Sequence, residues 1–202
     1  MDQQSAIEEI ALIKRVIDES RRFTFDRGKY YLMWGILVAA AIFIDYSKLF
    51  LNTTGLSGWW LWIATIGIGW IISIIFAIRE HSRVENWPIG AKLAALVWVS
   101  LGITSIILGF AGSLSGALQL WAVCPAIAAV MGAAYMISSL IYSLKWMALL
   151  GTGWWIGALC MFAVQGISTL PIFGTLMILF QTIPGIVCIR LSMKALRTGD
   201  AQ

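Results

Sequence analysis

Six runs of about 20 apolar residues, separated by polar connections, fill the chain from residue 30 onward. At 1.5 Å per residue, a helix of that length crosses roughly 30 Å, the hydrocarbon thickness of a bilayer. The pattern predicts spans at Tyr30–Phe50, Trp59–Ile78, Leu93–Gly112, Ala117–Ile141, Trp146–Gln165 and Leu170–Ile189. The connections LNTTGLSG, SLSG and GIST are short, as is the stretch around YSLK, while REHSRVENWPIGAK is longer. Such connections make consecutive helices antiparallel neighbours. The expected fold is an all-α six-transmembrane-helix bundle of three antiparallel hairpins.

Residues 1–29 follow a different pattern. Ser5-Ala6-Ile7-Glu8 has capping-box spacing, and Ala6, Ile10, Ile13 and Ile17 recur three or four residues apart. Glu8, Glu9, Lys14, Arg15, Asp18 and Glu19 occupy the other faces. This predicts an amphipathic helix lying on an apolar surface, whether bilayer, cytoplasmic loops or a second protein. It ends in Arg21, Arg22, Arg27 and Lys29, directly before Tyr30, Tyr31 and Trp34. Cations followed by aromatic rings suit the membrane interface, with anionic lipid headgroups as the partners of those four side chains. The organisation is thus 1–29 interfacial helix, 30–190 transmembrane domain and 191–202 cytoplasmic tail.

Composition supports this reading, since 60% of the 202 residues are hydrophobic and 12% charged. A soluble domain carries about 25% charged residues. The net charge of +4 changes meaning in that light. Six Lys and Arg precede the first span, three follow the second, one follows the fourth and three end the chain, so thirteen of fourteen lie on one side, with Lys48 opposite. The positive-inside rule places both termini in the cytoplasm. The charge therefore implies no nucleic-acid partner. The polar start lacks the apolar core of a signal peptide.

Candidate chemistry inside the spans is sparse. Asp45 is the one acidic residue within a predicted span, and charge at the centre of a bilayer costs about 2.5–3.5 kcal/mol. Its position near the outer interface, with Lys48 three residues on, favours an interfacial ion pair over a coupling site. Pro125 and Pro184 remove backbone donors in mid-span, and the freed carbonyls either line a pathway or are repaired by neighbouring helices. Gln181, one turn before Pro184, suits interhelical bonding or a polar pathway. Trp70 and Trp155 lie near mid-membrane, where they stack on a ligand or fill space opposite glycines. Trp62, Trp121 and Phe180 recur at a spacing of 59 residues, a hint of a repeated hairpin.

Catalytic signatures are missing from the sequence pattern. His81, the sole histidine, sits between glutamates in a loop with no metal-ligand spacing. Cys124, Cys160 and Cys188 lie in apolar runs without paired-ligand spacing. Gly112-Ser113-Leu114-Ser115-Gly116 lacks the glycine two before Ser115 and any later histidine base that a rhomboid-type protease needs. No metal, cofactor or enzymatic activity is expected.

The segment from Glu9-Ile10 to Ser20-Arg21-Arg22-Phe23, running into an aromatic-rich first span, resembles the opening of a group of small bacterial multi-span inner-membrane proteins. Those begin with an amphipathic helix ending in Ser-Arg-Arg-Phe. The resemblance covers about 30 residues and implies a bacterial cytoplasmic-membrane setting, with no activity or site residue attached. Two functions remain. The first is non-enzymatic binding or translocation of a small solute or lipid in the bundle, as a homo-oligomer or with a partner membrane subunit. The alternative is an accessory membrane anchor whose N-terminal helix docks a partner protein.

Overall fold

A computed structural model describes residues 28–51, 58–81 and 89–199, and among the described residues the regular structure is entirely helical. The elements are α1 (Gly28–Phe50), α2 (Gly58–His81), α3 (Ile89–Ile106), α4 (Leu120–Tyr142), α5 (Lys145–Val164), α6 (Thr169–Met177) and α7 (Ile183–Gly199). A π-helical stretch, Ile107–Gly112, extends α3, and another, Ile178–Thr182, joins α6 to α7. Six helical stretches are long and apolar enough to cross a membrane, and the protein is a multi-pass membrane protein. Large apolar side chains such as Ile71, Leu96, Leu140 and Leu159 stand exposed along its outer faces, as lipid contact requires. The amphipathic helix expected before Gly28, with Arg21, Arg22 and Arg27, lies outside the described residues.

Two boundaries differ in ways that matter. The fourth span begins at Leu120 rather than Ala117, because Gly112–Gln119 turns back on itself, with Leu118 N–H on the Gly112 carbonyl at 2.9 Å. Pro125 therefore sits in the second turn of α4, not in mid-span. The last helix continues past residue 190 to Gly199, through what the charge pattern marks as a tail.

The tightest packing joins α4 to α5. Ser143 takes a left-handed conformation (φ 52°) and its N–H bonds the Leu140 carbonyl, while Leu144 N–H bonds Ser139. That two-residue reversal is a Schellman-type helix C-cap, with Ser143 at the left-handed position. It brings Gly151 against Gly132, where a methyl group on Gly151 would lie 2.9 Å from the Gly132 carbonyl oxygen. On the other side α1 packs along α6, the π-helical joint and α7. There Gly28 and Gly35 of α1 meet Thr182, Gly185 and Cys188 nearly backbone to backbone. Small residues permit this approach, which substitutes for the hydrophobic drive that lipid removes.

α2 and α3 are peripheral. α2 packs on α1 and α3 packs on α4, but they meet each other through large rings. Trp70 lies over Gly102, 2.9 Å from where a β-carbon would sit, and Trp59 stacks obliquely on Phe110 with centroids 5.6 Å apart. The buried residues accordingly concentrate in α1, α4, α5 and the sixth span, with Tyr135, Trp154, Met147 and Met161 almost wholly enclosed.

Candidate functional site

Because α2 and α3 stand off from the tight group formed by α1, α4, α5 and the sixth span, a space of about 1250 Å³ opens between them. Pockets for drug-sized ligands are typically about 300–1,000 Å³, so this one has room for a larger, lipid-like molecule. Its walls come from α1, α2, α3, α4 and the sixth span, and none of its lining residues belongs to α5. Trp34, Trp59, Trp62, Trp70, Trp98 and Trp121 line it, six of the eleven tryptophans in the chain.

The face that α3 turns inward is set by helical spacing. Trp98, Gly102, Ser105 and Gly109 are separated by four, three and four residues and all line the cavity. Gly102 admits the Trp70 ring, which fills space opposite a glycine and forms part of the wall. Both roles open to Trp70 are thus compatible.

Asp45 lines the cavity and accepts a hydrogen bond from Trp62 Nε1 at 3.3 Å. The ion pair expected with Lys48 is not formed. Among the described residues, the carboxylate–cation pair that does form is Lys29 with Glu80. The short aspartate side chain is turned across to α2, whose indole donor reaches it, while the long lysine stem is free to carry its charge toward the interface.

Three of the lining residues carry an enclosed polar atom without a hydrogen-bond partner, Trp98 Nε1, Ser105 Oγ and Ser113 Oγ, each buried behind the wall rather than facing the space. Leaving a buried donor or acceptor unpaired costs about 1–3 kcal/mol. Trp34 is satisfied, donating from Nε1 to Ser73 Oγ at 3.0 Å. At the other end of the space, Trp121 Nε1 donates to the Gln119 side-chain oxygen.

Gln181 is buried, and its carboxamide bonds the Tyr135 hydroxyl at the edge of the cavity. Tyr135 also donates to the Phe180 carbonyl at 2.8 Å. Phe180 is four residues before Pro184, so this carbonyl is the one that the proline leaves without a helical donor. The neighbouring helix repairs the defect, and neither Pro184 nor Pro125 lines the cavity. Trp155 also stands apart from it. Its Nε1 donates to the Ala129 carbonyl at 3.0 Å and its ring covers Gly132, which makes it α4–α5 packing.

Lys29 pairs with Glu80 at 2.8 Å and lies 5.1 Å from the Phe76 ring centroid, and Tyr30 donates to the same carboxylate at 3.1 Å. This ties the first turn of α1 to the end of α2 and leaves Lys29 less available to lipid than its position in the sequence suggests.

No protein-family model, curated protein or solved structure matches the chain.

Proposed function

We propose that this is a bacterial inner-membrane protein with both termini in the cytoplasm, and that it holds a small apolar or amphipathic solute or lipid in its cavity without chemically altering it. The carrying observation is the tryptophan-lined, mostly apolar space itself, with Asp45 and Ser73 among its few polar lining residues. Mostly apolar walls with a few placed polar groups are the usual makeup of a small-molecule site. Capture from one face and release to the other would make the same site a step in translocation. An accessory anchor needs no such space, and the segment expected to dock its partner lies outside the described residues.

Filling the cavity tests this. Ser105→Phe adds a ring to the inward face of α3, where the bundle is loosest. Native mass spectrometry of the wild type is expected to show a bound small molecule or lipid retained after delipidation, and the variant is expected to lose it with unchanged helicity. A wild type without adduct in any membrane extract would overturn the proposal.

The orientation, and with it the arrangement of three hairpins whose short turns face outward, rests on the asymmetry of Lys and Arg. Cysteines introduced at Gly116 and at Thr198 are expected to differ completely in labelling of intact cells by an impermeant maleimide: the first reacts and the second does not until the cells are opened. The reverse pattern would overturn the assignment.

A further inference from the structure

The cavity has a chemical asymmetry that narrows what it can hold. Among the described residues that line it, Asp45 is the one that carries a formal charge, and no Lys, Arg or His joins it on the wall. Its hydrogen bond comes from the neutral indole of Trp62, one donor for a group with room for several. Lys48, one turn on, neither pairs with it nor lines the space. Asp45 is half-buried, and a ligand seated over it displaces the water around the carboxylate, which is costly unless the ligand brings an opposite charge. Trp62 touches Asp45, Trp59 and Trp121 line the same space, and indoles attract weakly hydrated cations over their faces.

A hard metal ion does not suit these walls, because sodium-, magnesium- or calcium-like ions need about six oxygen ligands. An anion would face Asp45 with no basic side chain on the wall to offset it. A neutral ligand would leave the carboxylate uncompensated.

Building on the proposed ligand-holding role, we propose that the cavity selects organic cations with an apolar body. The cationic centre sits at Asp45 among Trp59, Trp62 and Trp121, and the body extends past Trp70 toward Trp98. Two sources offer this chemistry: a membrane lipid with an ammonium headgroup, or a free lipophilic cation.

Equilibrium dialysis of the full-length protein in phosphatidylglycerol nanodiscs tests it, with empty discs subtracted. The probes are tetraphenylphosphonium and the neutral triphenylphosphine oxide. The wild type is expected to bind the cation about tenfold or more tightly than the neutral compound. Asp45→Asn is expected to abolish that preference while leaving the neutral compound unchanged, and Asp45→Glu to retain it. Discs containing phosphatidylethanolamine separate the sources: weaker phosphonium binding there indicates a competing lipid headgroup, and unchanged binding a free cation. Equal binding of both probes by the wild type overturns the cation inference and leaves the ligand-holding role standing. Binding of neither probe, together with an adduct-free wild type in native mass spectrometry, removes both. The wild-type comparison decides the charge question even where Asp45→Asn fails to fold.

Discussion

Gly185→Ala is expected to destabilise the protein by roughly 2–3 kcal/mol, the range of a forced overpacking. A methyl carbon on Gly185 would lie 2.5 Å from the Leu32 backbone nitrogen, 2.9 Å from its Cα and 3.0 Å from the Gly28 carbonyl oxygen. These are main-chain atoms, which cannot rotate away as a side chain would. α1 and α7 would have to separate, and that loosens contacts along the whole pair. The same seam holds Gly35, where an added methyl would strike Thr182 Oγ1 and come within 2.8 Å of the Thr182 nitrogen. Gly67→Ala is the control. Nothing lies within 4 Å of a β-carbon there, so the substitution is expected to be neutral or stabilising by up to about 1 kcal/mol through helix propensity. Reversible unfolding in mixed micelles of increasing SDS fraction reads both changes. Equal midpoints for the two variants would show that the α1–α7 seam is looser than these distances require.

Tyr135→Phe is expected to cost about 1–3 kcal/mol, the penalty for leaving buried polar groups unpaired. The tyrosine is fully enclosed, edge-on to Trp98 with centroids 5.2 Å apart and stacked near Tyr31 at 6.0 Å. Phenylalanine keeps those ring contacts, so the change isolates the hydroxyl. That hydroxyl serves the Phe180 carbonyl and the Gln181 carboxamide together. Having one proton, it can donate to Phe180 while the Gln181 NH₂ group donates to its oxygen, an amide orientation that satisfies all three groups. Removing it leaves two unsatisfied groups beside a proline in an apolar interior. Individual hydrogen bonds in membrane bundles average about 0.6 kcal/mol, so a loss above 1 kcal/mol in the same SDS titration would identify the proline repair as the source. Gln181→Leu in the Tyr135→Phe background is then expected to recover part of the loss, because it removes one of the orphaned groups. Additive losses would argue that the two residues do not act together.

The span pattern is legible in the sequence because it needs only composition and length. The fourth-span boundary is not, since the reversal at Gly112–Gln119 depends on a backbone bond from Leu118 to Gly112 rather than on hydropathy. Asp45 stands out as an intramembrane carboxylate, but its partner does not. Local spacing favours Lys48, whereas Trp62 becomes available only once α1 and α2 pack. Trp70 and Gln181 do border the cavity. Trp155, Pro125 and Pro184 do not, because depth along a span says nothing about which way a helix faces when nearly every side is apolar. The spacing of Trp98, Gly102 and Ser105 is readable as one face, and is the signal that would have located the α3 wall. The register of Trp62, Trp121 and Phe180 does not lead to one common position. The two tryptophans line the cavity, whereas Phe180 packs on Trp154, 6.2 Å between centroids, and against Gly153. The π-helical joint at Ile178–Thr182 adds a residue to a turn and so rotates α7 about its axis, a shift no hydropathy pattern records.

The concentration of indoles around one space also gives the molecule an optical property. With six of eleven tryptophans on that wall, much of the intrinsic ultraviolet emission originates beside whatever fills it. A heavy-atom occupant such as a brominated acyl chain would quench that emission by contact, with no label attached to the protein. Trp146 and Trp154, in α5 and off the wall, would supply an unquenched remainder.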